Sequence, residues 1–297
     1  MTSDPQKCVL VYDVGGSHVS AAVCYSGDYR LGPVITARHP ERESSDAFVD
    51  VLYSAGTQAA SGVAGVLGAE LAMPGPFDYP AGVSWMKHKM PYLYGVDLRA
   101  ALAGRFGWQP DQVRFLNDAA AYLLGEVGAG AARGVPRVVA ITLGTGVGSG
   151  FAVDGRVVTH GPGVPPGGEI WNVPYQGGIV EDLISTRAIQ KDYLERTGHE
   201  RDVATIAAGA AGDDAAKEVF ADFGRVLGVA LRNLFTTFAP DVVVLGGGIS
   251  RSARLFLPQA EHELEGLHIQ LRIAELDDKA PLAGGGVAWF SDTGNAV

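Results

Sequence analysis

Two stretches of the chain, 9-VLVYDVGGSHVSAAVCY-25 and 137-RVVAITLGTGVGSGFAVDGRVV-158, follow one plan: an apolar strand, a glycine turn and a returning strand. The repeat is weak in letters and strong in layout. Between and after these units, strands and helices alternate, which predicts an α/β fold throughout. Glycine makes up 41 of 297 residues, about 14% against an average of roughly 7%, with no three-residue period. The glycines cluster at 15–16, 144–150, 161–168 and 246–248, at strand ends where backbone turns at positive φ or a ligand comes close to it.

The length exceeds the roughly 100–200 residues of one domain and predicts about two. Twenty-three Lys and Arg against thirty-three Asp and Glu leave a formal charge of −10, a field that repels polyanions, so nucleic acid is not an expected partner. The longest apolar runs, such as 138-VVAITLG-144, have strand length, short of the ~20 residues of a membrane helix. The start of the chain, 1-MTSDPQKC-8, shows no signal-peptide pattern, and Cys8 and Cys24 are too few for a disulfide framework, which together predict a reduced, cytoplasmic protein.

Along the first half the pattern predicts strands 9–14 and 19–25, a helix over 44–60 with Phe48, Val49, Leu52 and Tyr53 on its apolar face, and a strand near 65–75. A helix over 97–106, a buried strand over 112–117 and a helix from 118 follow. The second half adds helices over about 179–196 and 213–238, the latter with a core stripe of Phe220, Phe223, Leu227, Leu231, Leu234 and Phe238. Strand 241–246, a helix from Ser250, a strand near 268–275 and a last helix near 282–290 complete it. The domain junction is placed near residue 117, where a cleft would be a natural ligand site.

The loop Asp13-Val14-Gly15-Gly16-Ser17 can cradle phosphate oxygens while Asp13 holds Mg²⁺ directly or through water. Alone, it also reads as an ordinary hairpin with a polar tip. Gly144-Thr145-Gly146 stands in the matching place of the second unit, and two such loops in equivalent positions are far less expected by chance than one. No G-x-G-x-x-G or G-x-x-x-x-G-K-[ST] is present, so dinucleotide-dehydrogenase and P-loop readings lose their signatures. The cluster Gly246-Gly247-Gly248 suits either a purine lying on bare backbone or tight strand-to-helix packing. Asn117 and Asp118 follow a buried strand; Asp is a favoured helix N-cap, and in a cleft it is equally a base for an attacking hydroxyl. Glu169, Asn172, Glu181 and Asp182 lie on or beside glycine turns, a polar complement for a polyhydroxy ligand, although each alone is also what a solvated side chain looks like.

Taken in order, these elements resemble the ROK family of bacterial sugar kinases, within the actin, hexokinase and Hsp70 ATPase superfamily, over nearly the whole chain. The segment 13-DVGGS-17 is similar to the family's first phosphate motif, with Ser17 in place of Thr, and 73-MPGPFD-78 to its sugar-site turn at Gly75. Further on, 116-LNDAAAYLLGE-126 is similar to the catalytic Asn-Asp segment, 142-TLGTGVGSGFAVDG-155 to the second phosphate motif, and 242-VVVLGGGIS-250 to the adenosine motif. The resemblance implies two actin-like, ribonuclease H-like α/β domains with a cleft between them: 1–117, joined by the C-terminal helix 282–297, and 118–281. It implies phosphorylation of a hexose by Mg·ATP, glucose to glucose 6-phosphate first, with Asp118 as general base and domain closure excluding water. Asn117, Glu169, Asn172, Glu181, Gly75 and His88 would then hold the sugar. Asp13, Gly15, Gly16, Ser17, Gly144, Thr145, Gly146, Gly247 and Gly248 would hold the nucleotide, Asp13 with its Mg²⁺.

Three departures shape those expectations. Asn172 stands where the family has a sugar- and zinc-binding His, and the family's Cys-rich zinc cluster is replaced by 173-VPYQGGIVEDLIS-185, so no zinc site is expected. The segment 87-KHK-89 stands where relatives often have Ala-Pro-Asn; it either faces solvent or lets His88 supply the sugar hydrogen bond that a His at position 172 would make. N-acetylmannosamine, mannose, fructose and allose stay open as acceptors and polyphosphate as donor, with a non-catalytic sugar sensor as the reading from another class. Only eight residues precede Val9, too few for the DNA-reading helix pair of the family's repressors. A homodimer is compatible with the family's habit.

Overall fold

The computed structural model describes residues 6–40 and 44–291. Its contacts divide the chain into two compact units. One runs to Ala129 and takes up the chain again from Lys279; the other is Gly130–Asp278.

In the first unit, β1 (Cys8–Val14), β2 (His18–Tyr25) and β3 (Ile35–Arg38) form an antiparallel meander, and helix α1 (Ser45–Ala59) follows. The Ser44 hydroxyl caps α1 by accepting the Ala47 N–H at 3.2 Å. Phe48, Val49 and Leu52 are buried as the helical spacing predicts, while Tyr53 is 37% exposed and lies against Phe106 with ring centroids 4.8 Å apart. Next come β4 (Val66–Met73), the two-residue strands β5 (Phe77–Asp78) and β6 (Val83–Ser84), α2 (Leu98–Phe106), β7 (Val113–Asn117) and α3 (Asp118–Gly128). The sheet order is β3-β2-β1-β4-β7, with β1, β4 and β7 parallel.

The second unit repeats this layout. Strands β8 (Arg137–Leu143), β9 (Val147–Val153) and β10 (Arg156–Val158) form the meander, and β11 (Pro174–Tyr175) and β12 (Gly178–Ile179) make a short ladder. Helices α4 (Val180–Ile184), α5 (Thr186–Thr197), α6 (Val203–Gly209) and α7 (Asp214–Leu234) lead to β13 (Val242–Gly246), α8 (Leu257–Glu263) and β14 (Gln270–Ile273). The order β10-β9-β8-β13-β14 and the strand directions match those of the first sheet one for one. The core stripe of α7 packs as its 3.6-residue period requires, with Leu234 at the helix end only half-buried. Phe238, beyond the helix end, is buried with its ring 4.9 Å from that of Phe151.

Several expectations change in detail. The helix over 179–196 is broken at Ser185, which is extended (φ −109°, ψ 172°). The helix from Ser250 is a 3₁₀ segment, Gly248–Leu255, before α8 begins. The first unit continues past the expected junction at 117 because α3 packs on α9 (Ala280–Phe290): a Cβ on Gly284 would stand 1.8 Å from the Ala121 carbonyl, and one on Gly125 2.1 Å from that of Ala280. The end of the helix expected over 282–297 lies outside the described residues.

Glu70, on β4 between Val11 of β1 and Arg114 of β7, is 2% exposed, and its Oε2 has no hydrogen-bond partner. Burial pushes its carboxyl up to about 8, with Arg114 and Arg99 pulling it partly back. The folded state therefore keeps a proton that the unfolded chain releases near 4.5, and stability falls as pH rises from there through about 8. Glu70→Gln should remove that slope, so its stability gain over wild type should grow between pH 5 and pH 8 by on the order of a few kcal/mol. Urea denaturation of both proteins across that range checks this; parallel stability curves would show that Glu70 does not titrate as described.

Candidate active site

At the end of β1, Asp13 is half-buried, opposite Ser20 on β2 and Ala72 on β4. The turn beyond it is closed by the Gly15 N–H donating to the His18 carbonyl at 2.9 Å. Neither Gly15 nor Gly16 is left-handed. A Cβ on Gly16 would meet nothing within 4 Å, and one on Gly15 only the His18 carbonyl at 3.5 Å. The missing side chains thus leave open space over exposed backbone, as an approaching anion needs. The Ser17 hydroxyl is 2.7 Å from His18 Nδ1.

Asn117 and Asp118 play different structural parts. Asn117, the last residue of β7, is the N-cap of α3: its Oδ1 accepts the N–H groups of Ala119 at 2.9 Å and Ala120 at 3.1 Å. Capping therefore falls to Asn117 rather than Asp118, and Asp118 occupies the first helical position, half-buried. There it sits where the helix dipole favours a carboxylate. Asn117 Nδ2 donates to the Tyr79 hydroxyl at 3.1 Å, and that hydroxyl donates to the Met73 carbonyl at 3.2 Å and stands 3.7 Å from where a Cβ on Gly75 would be. Tyr79 thereby joins the Gly75 turn to Asn117. Its part is not evident from the sequence, although it directly follows the segment 73–78. Residues Lys87, His88 and Lys89 are all exposed, with the Lys87 ammonium 5.5 Å from the centre of the Tyr94 ring.

In the second unit the loop after β8 is tied from several sides. The Gly144 N–H donates to the Gly146 carbonyl at 3.1 Å, the Thr186 N–H to the Gly144 carbonyl at 2.8 Å, and the Gly148 N–H to Thr142 Oγ1 at 3.2 Å. Thr145 and Gly146 at the tip are exposed. Glu181, on α4, is held against this loop: its Oε2 accepts the Val147 N–H at 3.0 Å, and its Oε1 accepts from Arg187 Nη2 at 3.1 Å.

The turn that carries Glu169 needs Gly167 and Gly168 at φ 71° and 75°, a left-handed pair that other residues adopt with strain. Ser149, buried on β9, fixes it by donating to the Gly168 carbonyl at 2.6 Å and accepting the Ile170 N–H at 3.0 Å. Glu169 is exposed, and its Oε2 accepts the Trp171 Nε1–H at 3.0 Å; the Glu181 N–H in turn donates to the Trp171 carbonyl at 3.0 Å. Asn172 is exposed beside them, and Asp182 caps α4 through the Ile179 N–H at 3.1 Å. Ser149 and Arg187 also carry roles that the sequence does not single out, and the buried-strand context of Ser149 is its one available signal.

The glycine cluster after β13 divides. Gly247 is left-handed (φ 81°), and a Cβ there would stand 2.6 Å from the Leu143 carbonyl, so it serves a turn and close packing. Gly248 is exposed with nothing within 4 Å of a Cβ position, which suits a ligand.

Among the described residues no three His, Cys, Asp or Glu side chains gather to hold a metal ion. A magnesium ion carried in on phosphates needs only one or two carboxylates, because phosphate oxygens and water fill the rest of its shell. Asp13 beside the open Gly15–Gly16 turn fits that requirement. Cys8 and Cys24 are buried, unpaired thiols, and burial chiefly, with Asp28 and Cys8 adding, pushes Cys24 up to about 12. None of the helices among the described residues is long and apolar enough to cross a membrane.

An N-acetyl-D-glucosamine kinase from Aliivibrio salmonicida is 29% identical over 269 residues, covering 82% of this chain and 85% of that protein. A glucokinase from Thermotoga maritima is 32% identical over 218 residues, 64% of this chain and 67% of that one. The crystal structure of a ROK hexokinase from Thermus thermophilus superposes with a TM-score of 0.77 at 28% identity, covering 94% of this chain and 97% of the other. All three are sugar kinases, and the third shares the fold over nearly its whole length. The model of the ROK family matches residues 9–292, and the chain belongs to that family of sugar kinases.

Proposed function

We propose that this sugar kinase transfers the γ-phosphoryl group of Mg·ATP to a hydroxyl of a gluco-configured hexose, with glucose as the acceptor and O6 as the attacking oxygen. The observation that carries the reading is the placement of Asn117 and Asp118: the first caps α3 and is joined through Tyr79 to the Gly75 turn, and the second carries a carboxylate at the helix start. N-acetyl-D-glucosamine is a second reading, favoured by the kinases of that sugar among the relatives.

In this reading Asp118 accepts the proton of the attacking hydroxyl as its oxygen bonds to phosphorus and the bond to ADP breaks. Asn117, fixed by its own cap bonds and by Tyr79, orients the sugar together with the Gly75 turn, Glu169, Asn172 and Glu181. The exposed backbone of Thr145 and Gly146 and of Gly16 faces the phosphate oxygens, the Gly144 and Gly15 N–H groups being engaged in closing their own turns, and Gly248 gives the nucleoside bare backbone. Magnesium, when bound with the nucleotide at Asp13, supplies charge neutralisation on the phosphates. His88, exposed in the structure, would have to act from the rim of the site.

Purified protein with Mg·ATP should release ADP with glucose or N-acetylglucosamine and far more slowly without sugar. A panel that adds mannose, fructose, allose and N-acetylmannosamine, with polyphosphate as alternative donor, tests the acceptor and the donor together. Nucleotide and sugar binding with no turnover on any pair would favour a sensor. Asp118→Asn should fold and bind the acceptor with kcat lower by about 10²–10⁴-fold, the usual worth of a general base; near-wild-type kcat would remove Asp118 from that role. Tyr79→Phe, which loses about 1 kcal/mol of hydrogen bonding to Asn117, should raise the acceptor KM several-fold and leave the nucleotide KM alone.

A further inference from the structure

Glu181 is expected at the acceptor, yet the structure finds its carboxylate on the phosphate loop. Its Oε2 accepts the Val147 N–H at 3.0 Å and stands 3.0 Å from where a Cβ on Gly146 would be, and its Oε1 is paired with Arg187 at 3.1 Å. The main chain supports the same arrangement, since Thr186, at the start of α5, donates its N–H to the Gly144 carbonyl. The loop amides of Gly144, Val147 and Gly148 are thus already engaged, and the exposed tip residues Thr145 and Gly146 remain to face an incoming anion. A phosphate arriving there meets a carboxylate at its side. Like charges that close repel, more so where protein replaces water. The Arg187 guanidinium, 65% exposed, offsets part of that charge.

We propose that Glu181 is shared between the two substrates: without acceptor it occupies the phosphate loop and holds back the terminal phosphate of the nucleotide, and acceptor hydroxyls draw it away. Arg187 is the positioning residue that neutralises Glu181 while it lies on the loop. Acceptor binding then tightens nucleotide binding, and by linkage nucleotide tightens acceptor binding by the same factor. The arrangement also restrains ATP hydrolysis when no sugar is present. This inference rests on the hexose-kinase reading with Glu181 as an acceptor ligand.

The test is titration calorimetry of a non-hydrolysable ATP analogue with Mg²⁺ into wild type, Glu181→Gln and Arg187→Gln, each with and without the acceptor found by the panel. In wild type the acceptor should tighten the analogue at least about fivefold. Glu181→Gln should bind it that tightly with no acceptor, because the charge on the loop is gone. Arg187→Gln should bind it more weakly than wild type without acceptor, because the charge is no longer offset. The opposite signs matter: if Glu181 merely staples the loop, both variants weaken binding. Unchanged or weaker binding by Glu181→Gln without acceptor overturns the proposal. If that variant does not fold, unchanged or tighter binding by Arg187→Gln overturns the proposal equally. Glu181→Asp, which keeps the charge and shortens the reach to the loop, should then bind the analogue more tightly than wild type without acceptor, where a mere staple would bind it more weakly. A wild-type acceptor KM in Glu181→Gln would instead sink the underlying reading of Glu181 as an acceptor ligand, whereas a raised acceptor KM with unchanged analogue binding leaves that reading standing and rejects only the sharing.

Discussion

In each sheet the central strand turns straight back on itself, while two later strands run parallel to it and end at the same edge. Because β4 and β7 are parallel to β1, the registers Asp13 with Ala72 and Met73 with Asn117 bring three strand ends level. The Gly15–Gly16 turn, the Gly75 turn and the start of α3 therefore all leave the first sheet at one edge. The second sheet obeys the same constraint, with Gly246 opposite Thr142, so the Gly144 loop and the Gly247–Gly248 turn emerge side by side. Ligands of open α/β sheets bind outside the carboxyl ends of the strands. The strand directions thus decide where the chemistry can be before any side chain is considered.

The glycine excess that first marks the chain divides into two populations with different physics. Gly16 and Gly248 have empty space where a side chain would be, and there the absence of Cβ keeps backbone accessible. Gly125, Gly284 and Gly286 are buried in helix packing: a Cβ on Gly286 would stand 2.1 Å from Cys24 Sγ, and those on Gly125 and Gly284 would run into facing carbonyls. A glycine inside a helix is unfavourable by about 1 kcal/mol relative to alanine. Close approach of α9 to α3 and β2 offsets this and joins α9 to the first unit. Composition alone cannot separate these uses, because both need the same residue.

Much of the layout was legible because it depends on local pattern. Apolar strands, the buried face of α1 and the α7 stripe all follow from sequence periods of two or 3.6, and the twin glycine turns exposed the duplication. The exceptions lack such a signal. Strand β3 has only four residues alternating between half-buried and exposed, and α6 is a seven-residue helix begun by the Asp202 cap. The break at Ser185 comes from tertiary contact, since the chain there turns to give the Thr186 N–H to Gly144. In the candidate site, Asn117 and Asp118 could be found as a pair, but which of them caps the helix depends on side-chain geometry. Glu181 shows the limit most clearly: the resemblance names it as an expected acceptor ligand, while its seat on a loop 34 positions earlier belongs to the folded chain alone.

That seat has a mechanical context within the second unit. Buried Ser149 fixes the Gly168–Ile170 turn, Trp171 links that turn to Glu169 through its indole and to the Glu181 backbone through its carbonyl, and Glu181 reaches the loop after β8. The main-chain links in this series are short and the Ser149 hydroxyl is satisfied on both sides, so the backbone is held at each step. The Glu181 side chain is different. Its carboxylate bonds one amide and one exposed arginine, contacts that water or a sugar hydroxyl can replace at little net cost. A kinase must favour a sugar hydroxyl over water as the phosphoryl acceptor, and a side chain on a rigid frame can respond to the sugar without the loop itself being rebuilt. The backbone holds the geometry constant, and on the proposed sharing the carboxylate is the part that would move when an acceptor arrives.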